Sequence, residues 1–178
     1  MTPTEELIAR ERIRDLALRY SVAIADRDVE LMVSLYAEDA SFGSFGDGPE
    51  ALRRIMGSTM GDLRFGVILV ANHLIDFTSE TEATGEVWAR CYAQNDRDGY
   101  YEQLIKYVDR YVDASADPGA PDWRFLHRRH LLWFGEAKAS PLAQPPANWP
   151  ERQVGVGRIP LGDAAVLAWR EDSDSDAI

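Results

Sequence analysis

The sequence predicts an α+β fold in which three helices come first and a curved, mostly antiparallel sheet follows. The first third of the chain places apolar side chains at the three- and four-residue spacing of helices. The next part alternates apolar and polar residues in long β-rich segments that polar turns separate. Helices and strands segregated in this way are typical of α+β proteins, whose helices cover one face of the sheet.

Start signals support each of the three helices. Thr2, Pro3 and Glu5 combine a cap, a first-turn proline and a capping box ahead of a long amphipathic helix that ends near "ADRD". Its apolar stripe is Ile13, Leu16, Ala17, Tyr20 and Ile24. Asp28 is the predicted N-cap of a second helix over "VELMVSLYAED", and Pro49 lies in the first turn of a third helix, "GPEALRRIMGSTM".

Four β-rich segments follow: "RFGVILVANHLIDF", "ATGEVWARCYA", "YYEQLIKYVDRYVD" and "DWRFLHRRHLLWF". The second segment has one face made of small residues only, namely Ala83, Gly85, Val87, Ala89 and Cys91. Small side chains on an inner face leave room for another group, so we expect an apolar pocket there. The loop "ASADPGAPD" separates the last two strands.

One domain accounts for most of the 178 residues. We expect an α+β barrel over residues 1–135 and a proline-rich extension over 136–170 that packs on the barrel or on a partner subunit. The charged, serine-containing segment 171–178 has the composition of a disordered tail.

Composition excludes several classes of function. A net charge of −11 argues against nucleic acid as a partner, because nucleic-acid binding needs a basic surface. No apolar run approaches the ~20 residues that span a bilayer, and the charged N-terminus is unlike a secretory signal, so we expect no membrane association and a cytoplasmic location. The single cysteine, Cys91, excludes an internal disulfide. The three histidines lack the spacing of metal ligands, and no nucleotide-binding motif is present, so no metal or cofactor is expected.

An ordered series of segments resembles the SnoaL-like and scytalone-dehydratase-like branch of the nuclear-transport-factor-two superfamily. The series runs from "IRDLALRYSVAIADRDVELMVSLYAEDASF" through "GPEALRRIM", "ANHLIDF", "EATGEVWARCYA" and "YVDRYV" to "WRFLHRRHLLWF". The resemblance implies a cone-shaped barrel with a deep apolar pocket, usually in a homodimer. Enzymes of this branch are mostly cofactor-free dehydratases, dehydrochlorinases, isomerases, epoxide hydrolases or cyclases, and other members only bind or assemble. The resemblance therefore implies one of these activities or a binding role, and the fold alone does not choose among them.

The dehydratase-type members resembled here use an Asp–His pair, and the resemblance implies that both halves of that pair are replaced in this sequence. Carried over position by position, the aspartate falls on Ala25 and the histidine on Ile68, with Asn72 anchoring the register of the strand. Asp26 and His73 are nearby substitutes, but regular helix and strand geometry points both away from the pocket. A bulge in each element would be needed to bring them in.

A second set of candidates lies on the last two strands. Alternation places Tyr107 and Asp109 on one face of the third strand and His127 and Arg129 on the aromatic face of the fourth, all directed inward. Asp109 and His127 would then exchange protons while Arg129 polarises a carbonyl. A buried Asp–Arg pair across strands is most often structural, and this is the favoured interpretation of Asp109 with either arginine. Arg128 and His130 are expected outside.

The favoured function is a cofactor-independent lyase, isomerase or cyclase that acts by acid/base chemistry on a hydrophobic, carbonyl-bearing small molecule of polyketide, terpenoid or steroid type. The alternatives are a non-catalytic binding or scaffolding member and, less favoured, an epoxide hydrolase with Asp26 or Asp76 as second carboxylate. We expect the ligand to contact Tyr20, Ile68, Asn72, Trp88 and Tyr107, and the protein to form a homodimer.

Overall fold

The structure is a computed structural model that describes residues 1–95, 97–117 and 120–138. Three α-helices precede four β-strands in chain order, as predicted. The helices are α1 (Pro3–Asp26), α2 (Val29–Ser34) and α3 (Gly48–Gly61), and a short 3-10 helix, Gly43–Phe45, lies between the last two. The strands are β1 (Leu63–Phe77), β2 (Glu82–Asn95), β3 (Gly99–Asp113) and β4 (Trp123–Lys138).

The helix start signals form as predicted. Thr2 accepts a hydrogen bond from the backbone N–H of Glu5, and the Glu5 carboxylate accepts one from the N–H of Thr2. Asp28 caps α2 by accepting from the backbone N–H of Leu31. Since these side chains satisfy backbone donors that the first turn leaves free, they fix where each helix begins.

Helix α2 is shorter than the predicted segment 29–39. It ends at Ser34 because the chain then turns toward β4, where the backbone of Phe125 donates to Leu35 and accepts from Ala37. Tyr36 thereby forms an isolated parallel bridge with Phe125. This contact connects the helical layer directly to the last strand.

The four strands form one antiparallel sheet in the order β1-β2-β3-β4. The helices pack against the concave face of this curled sheet, which gives the cone-shaped α+β half-barrel of the predicted class. The small-residue face of β2 is buried in that interface. None of the described cavities is lined by this face, so the apolar pocket expected there stays a prediction. No helix in the described part of the chain is long and apolar enough to cross a membrane.

Strand β4 runs three residues past the expected domain boundary at 135, to Lys138. The rest of the proposed extension, 139–170, and the tail 171–178 lie outside the described residues. Their expected packing and disorder therefore stay predictions.

Candidate active site

A buried ion pair between Asp109 of β3 and Arg128 of β4 forms the centre of the site. The Nε and Nη2 atoms of Arg128 donate to Oδ1 and Oδ2 of Asp109 at 2.9 and 2.8 Å. Asp109 is 1% exposed, and the side chain of Arg128 is 3% exposed. Nη1 of Arg128 makes no hydrogen bond among the described residues.

Aromatic rings surround the Arg128 guanidinium. Its central carbon lies 4.4, 4.2 and 4.3 Å from the ring centres of Tyr20, Tyr107 and Phe125. Burial opposes the positive charge, but the Asp109 carboxylate outweighs it and raises the pKa of Arg128. The guanidinium therefore stays charged inside an apolar enclosure, held by one carboxylate and three π faces.

A hydrogen-bonded chain leads from this ion pair to His73. The hydroxyl of Tyr111 donates to Oδ2 of Asp109 at 2.8 Å, and Nε2 of His73 lies 2.9 Å from the same hydroxyl oxygen. Tyr111 is 1% exposed. Burial, and next the Asp109 charge, raise the pKa of Tyr111, so the phenol stays protonated.

The environment of His73 keeps its ring neutral. Burial lowers the pKa of His73 from 6.5 to about 4, which Asp109 partly opposes and Arg128 reinforces. At neutral pH one ring nitrogen therefore carries a lone pair that can accept a proton. The site combines a neutral base, a neutral phenol and a paired carboxylate and guanidinium.

A β-bulge in β1 brings His73 into this interior. Val70 pairs with Ala89 and His73 pairs with Val87, so Ala71 and Asn72 lie opposite one residue of β2. Because of the extra residue, side chains after the bulge point to the opposite face from the one that regular alternation predicts. His73 therefore lies on the inner face of β1. The expectation that His73 faces away from the pocket is wrong for this reason.

A second bulge, in β4, decides which of two adjacent arginines is inside. Arg110 pairs with His127 and Tyr111 with Phe125, so Leu126 is the extra residue. Arg128 then lies opposite Asp109, whereas His127 and Arg129 are exposed. The predicted inward orientation of His127 and Arg129 is wrong, as is the predicted outward orientation of Arg128.

The same shift turns His130 to the inner face of β4. His130 pairs with Tyr107 in the strand register, and the two ring centres are 5.4 Å apart. His130 therefore shares a strand face with Arg128, as expected, but this face is the inner one, and the side chain of His130 is still exposed, unlike that of Arg128. Asp109 is buried where its alternation placed it, while its catalytic role stays a prediction.

The two positions to which the resemblance assigns an Asp–His pair, Ala25 and Ile68, hold no ionisable group. Ile68 is buried on the inner face of β1, and Ala25 is half-buried in the last turn of α1. Asp26 ends α1 with an exposed side chain, so the helix end does not turn it inward. Asp76, the other candidate for a second carboxylate, is also exposed.

The predicted ligand contacts divide between the two faces of the sheet. Tyr20 and Tyr107 lie beside Arg128 in the interior, 5.6 Å apart between ring centres, and Ile68 also faces inward. Asn72 is exposed at the bulge of β1. Trp88 lies on the outer face against the exposed Trp133, with ring centres 5.2 Å apart, so its assignment to the pocket is wrong.

Three open cavities in the described part of the chain lie away from this network. One, of about 570 Å³, lies between the end of α3 and the β2–β3 turn and includes Ser58 and Arg97. A second, of about 520 Å³, lies beside the N-terminus, and a third, of about 260 Å³, lies between α1 and the start of β4. Within the described residues, no group of three or more histidine, cysteine or acidic side chains forms a metal site.

Residues 5–129 match the model of the SnoaL-like domain, and the chain belongs to this family. No curated relative matches the chain. Among solved structures, a hexachlorocyclohexane dehydrochlorinase of the LinA type from Novosphingobium barchaimii superposes with a TM-score of 0.70 at 17% identity. That match covers 82% of this chain and 100% of the other.

Two further solved structures share the fold. A protein of Novosphingobium aromaticivorans assigned as a scytalone dehydratase matches with a TM-score of 0.65 at 19% identity, covering 82% of this chain and all of its own. A Mycobacterium tuberculosis protein of unknown function matches with a TM-score of 0.61 at 22% identity, covering 99% of this chain and 94% of the other. At these identities the similarities establish the fold alone.

Sequence reasoning missed Tyr111 and Arg128 as members of the site. Tyr111 shares a strand face with Asp109, which is a signal that alternation does give. Arg128 had no such signal, because a regular strand places Arg129 on the aromatic face instead. The bulge is visible only in the pairing of β4 with β3.

Proposed function

We propose that the protein is a cofactor-independent lyase or isomerase that acts by acid/base chemistry at the His73–Tyr111–Asp109–Arg128 network. The observation that carries the proposal is a neutral, inward-facing histidine joined through one phenol to a buried carboxylate. A base next to an apolar enclosure and a guanidinium with an unpaired donor are the parts that proton abstraction beside a carbonyl requires.

In the proposed reaction His73 is the base. Its imidazole takes a proton from a carbon next to the substrate carbonyl, so the C–H bond breaks and its electron pair forms an enolate. The imidazolium that results is stabilised by the negative charge of Asp109 at the far end of the chain, which already favours the charged form of His73. A single positioned base of this kind contributes about 10²–10⁴ in rate.

Arg128 stabilises the charge that develops on the substrate oxygen. Nη1 is the free donor of a guanidinium whose other two nitrogens are held by Asp109, so its direction is fixed before substrate binds. The enolate then returns the electron pair to the carbon chain. Loss of a β-hydroxyl, which takes the proton from His73 and leaves as water, completes an elimination, whereas reprotonation at another carbon completes an isomerisation.

The enclosure favours an apolar substrate with few polar groups. Aromatic rings line the guanidinium, and the inner face of β2 beside it is apolar. Two structural neighbours are named as a dehydrochlorinase and a scytalone dehydratase, which are both elimination classes. A polyketide-, terpenoid- or steroid-like compound with a carbonyl group fits these features.

A panel of such compounds tests the proposal. Each compound is incubated with the protein in D₂O, and mass spectrometry follows loss of water and uptake of deuterium next to the carbonyl. Arg128→Lys keeps the charge but loses the planar donor pair, and we expect a loss of about 10²–10³ in rate. The exposed neighbour provides the control, because Arg129→Lys leaves the rate unchanged. Equal rates in the two variants overturn the assignment of Arg128.

A second candidate function, binding without catalysis, is favoured by a specific observation. Apolar residues, Ala25 and Ile68, occupy both positions to which the resemblance assigns an Asp–His pair. The charges of Asp109 and Arg128 compensate each other through two hydrogen bonds. Native mass spectrometry of the purified protein separates the two functions: a retained apolar compound that passes unchanged through the D₂O assay supports binding. Epoxide opening would need a second carboxylate in the interior, and both candidates for it, Asp26 and Asp76, are exposed.

A homodimer and a cytoplasmic location stay proposals. Trp133 and Phe134 are 63% and 58% exposed near the end of β4, and a second copy of the chain that covered them would remove this apolar area from water. Light scattering of the full chain, compared with Trp133→Lys, tests whether this part of the sheet carries an interface.

A further inference from the structure

The hydrogen bonds around Tyr111 determine which nitrogen of His73 is the base. A phenol has one hydrogen to donate, and two neighbours lie within reach of the Tyr111 oxygen: Oδ2 of Asp109 at 2.8 Å and Nε2 of His73 at 2.9 Å. Asp109 is ion-paired with Arg128, so its carboxylate oxygens can only accept. The Tyr111 hydrogen therefore points to Asp109, because the opposite orientation would set two lone-pair oxygens against each other.

Because the Tyr111 hydroxyl donates its only hydrogen to Asp109, it can only accept a hydrogen bond from His73. Nε2 of His73 must carry a hydrogen and donate it to the Tyr111 oxygen. In the neutral ring the lone pair then lies on Nδ1, which makes no hydrogen bond among the described residues. Hydrogen bonding at one nitrogen is the usual means by which a protein selects the reactive nitrogen of a histidine.

We infer that Tyr111 is a positioning residue that fixes His73 as the Nε2–H tautomer and presents Nδ1 to the substrate. In this arrangement an Asp–Tyr–His chain performs the orienting role that a direct Asp–His contact performs elsewhere. The inference deepens the proposed function and rests on it for the role of Nδ1 in catalysis.

Gly85 of β2 makes room for this chain. A Cβ atom at Gly85 would lie 2.9 Å from Cε2 and 3.0 Å from the hydroxyl oxygen of Tyr111, and 2.9 Å from the carbonyl oxygen of Leu74. The small face of β2 thus leaves space at this position for the ring of Tyr111 itself. The phenol is confined between Gly85 and Phe125, whose ring centre is 5.4 Å away.

The charged groups that act on His73 are Asp109, Arg128 and Arg14 of α1. Asp109 favours the imidazolium, and the two arginines oppose it. Tyr111 is the neutral group between the ring and the carboxylate. Changing Tyr111 to Phe therefore removes the acceptor for Nε2–H without altering any of these three charges.

Nitrogen NMR of the full chain labelled with ¹⁵N-histidine tests the inference without a substrate. His127→Gln and His130→Gln assign the three rings by elimination. At pH 7 we expect the His73 hydrogen on Nε2 and an unprotonated Nδ1. In Tyr111→Phe we expect Nε2–H to exchange with water at least about tenfold faster, since its acceptor is gone. A hydrogen on Nδ1 in the wild type overturns the inference, as does unchanged exchange in the folded variant.

The outcomes separate the inference from the proposed function. A wild-type spectrum with the Nε2–H tautomer, together with no turnover of any compound, contradicts the proposed function and leaves the tautomer in place. Turnover that Tyr111→Phe retains in full, with the same pH profile, contradicts the positioning role and leaves the proposed function in place. Should Tyr111→Phe fail to fold, the wild-type tautomer alone decides.

Discussion

Arg128 meets Asp109 through two parallel hydrogen bonds across β3 and β4, and neither charge is more than 3% exposed. Removing one partner of such a pair leaves the other charge buried and uncompensated, which is far more costly than removing an exposed charge. This relationship underlies both the stability of the interior and the proposed chemistry.

Replacing Arg128 by methionine is therefore expected to destabilise the protein by about 3–5 kcal/mol. The matched control is Arg129→Met on the exposed face of the same strand, which should stay within about 0.5 kcal/mol of the wild type. Urea unfolding followed by tryptophan fluorescence measures both. A similar loss in the two variants would show that the β4 bulge does not select Arg128.

The low pKa of His73 predicts an acid-sensitive fold. The pKa is about 4 in the folded protein against 6.5 ordinarily, so the unfolded chain binds the additional proton between these values. Stability contributed by the neutral ring is complete above pH 6.5 and is lost as the pH falls toward 4. Solvent screening of this partly exposed ring limits the loss to on the order of 1–2 kcal/mol.

Unfolding free energies from pH 7 to pH 4 measure this effect against His73→Gln. Glutamine keeps an N–H donor for Tyr111 but does not titrate. We expect the variant to lose less stability than the wild type over this range. Parallel curves for the two proteins are incompatible with a neutral, buried His73.

Space at Gly85 is expected to be essential to the network. Gly85→Ala forces a methyl group against the ring and hydroxyl of Tyr111 and against the backbone of Leu74, and overpacking of this kind costs about 1–3 kcal/mol. Gly57→Ala is the control, because Gly57 lies in helix α3 with no atom near a new Cβ. Alanine there should stabilise by up to about 1 kcal/mol. Equal melting temperatures in the two variants would contradict the close contact at Gly85.

Substitutions of two aspartates, Asp109 and Asp26, are expected to have different effects on turnover. Asp109→Asn removes the charge that stabilises a protonated His73 and should lower turnover by about 10²-fold or more. Asp26→Asn should leave turnover unchanged, because Asp26 is exposed at the end of α1. The D₂O assay on a compound that the wild type converts measures both, with circular dichroism to verify folding. A loss confined to Asp26→Asn would return the chemistry to the end of helix α1.

The capping signals and the strand alternation made most of the fold predictable. The Thr2–Glu5 capping box and the Asp28 cap located the start of two helices, and the small-residue face of β2 is buried along its length. Local hydrogen bonds and a period of two depend on neighbours in sequence, which is the information that a sequence carries most directly.

The site was less predictable because it depends on two bulges. One extra residue in a strand moves every following side chain to the other face, so the arginine opposite Asp109 changes from Arg129 to Arg128. The bulges at 71–72 and at 126 carry no glycine or proline that would mark them. Pairing with the neighbouring strand decides their position, and this is long-range information.

The most direct test of the central claim compares deuterium uptake next to the substrate carbonyl in His73→Gln and His127→Gln. A compound that the wild type converts is followed by mass spectrometry in D₂O. With His73 as the base, His73→Gln should lose about 10²–10⁴ in rate, and His127→Gln, changed at an exposed position, should match the wild type. Full activity in folded His73→Gln would contradict the account.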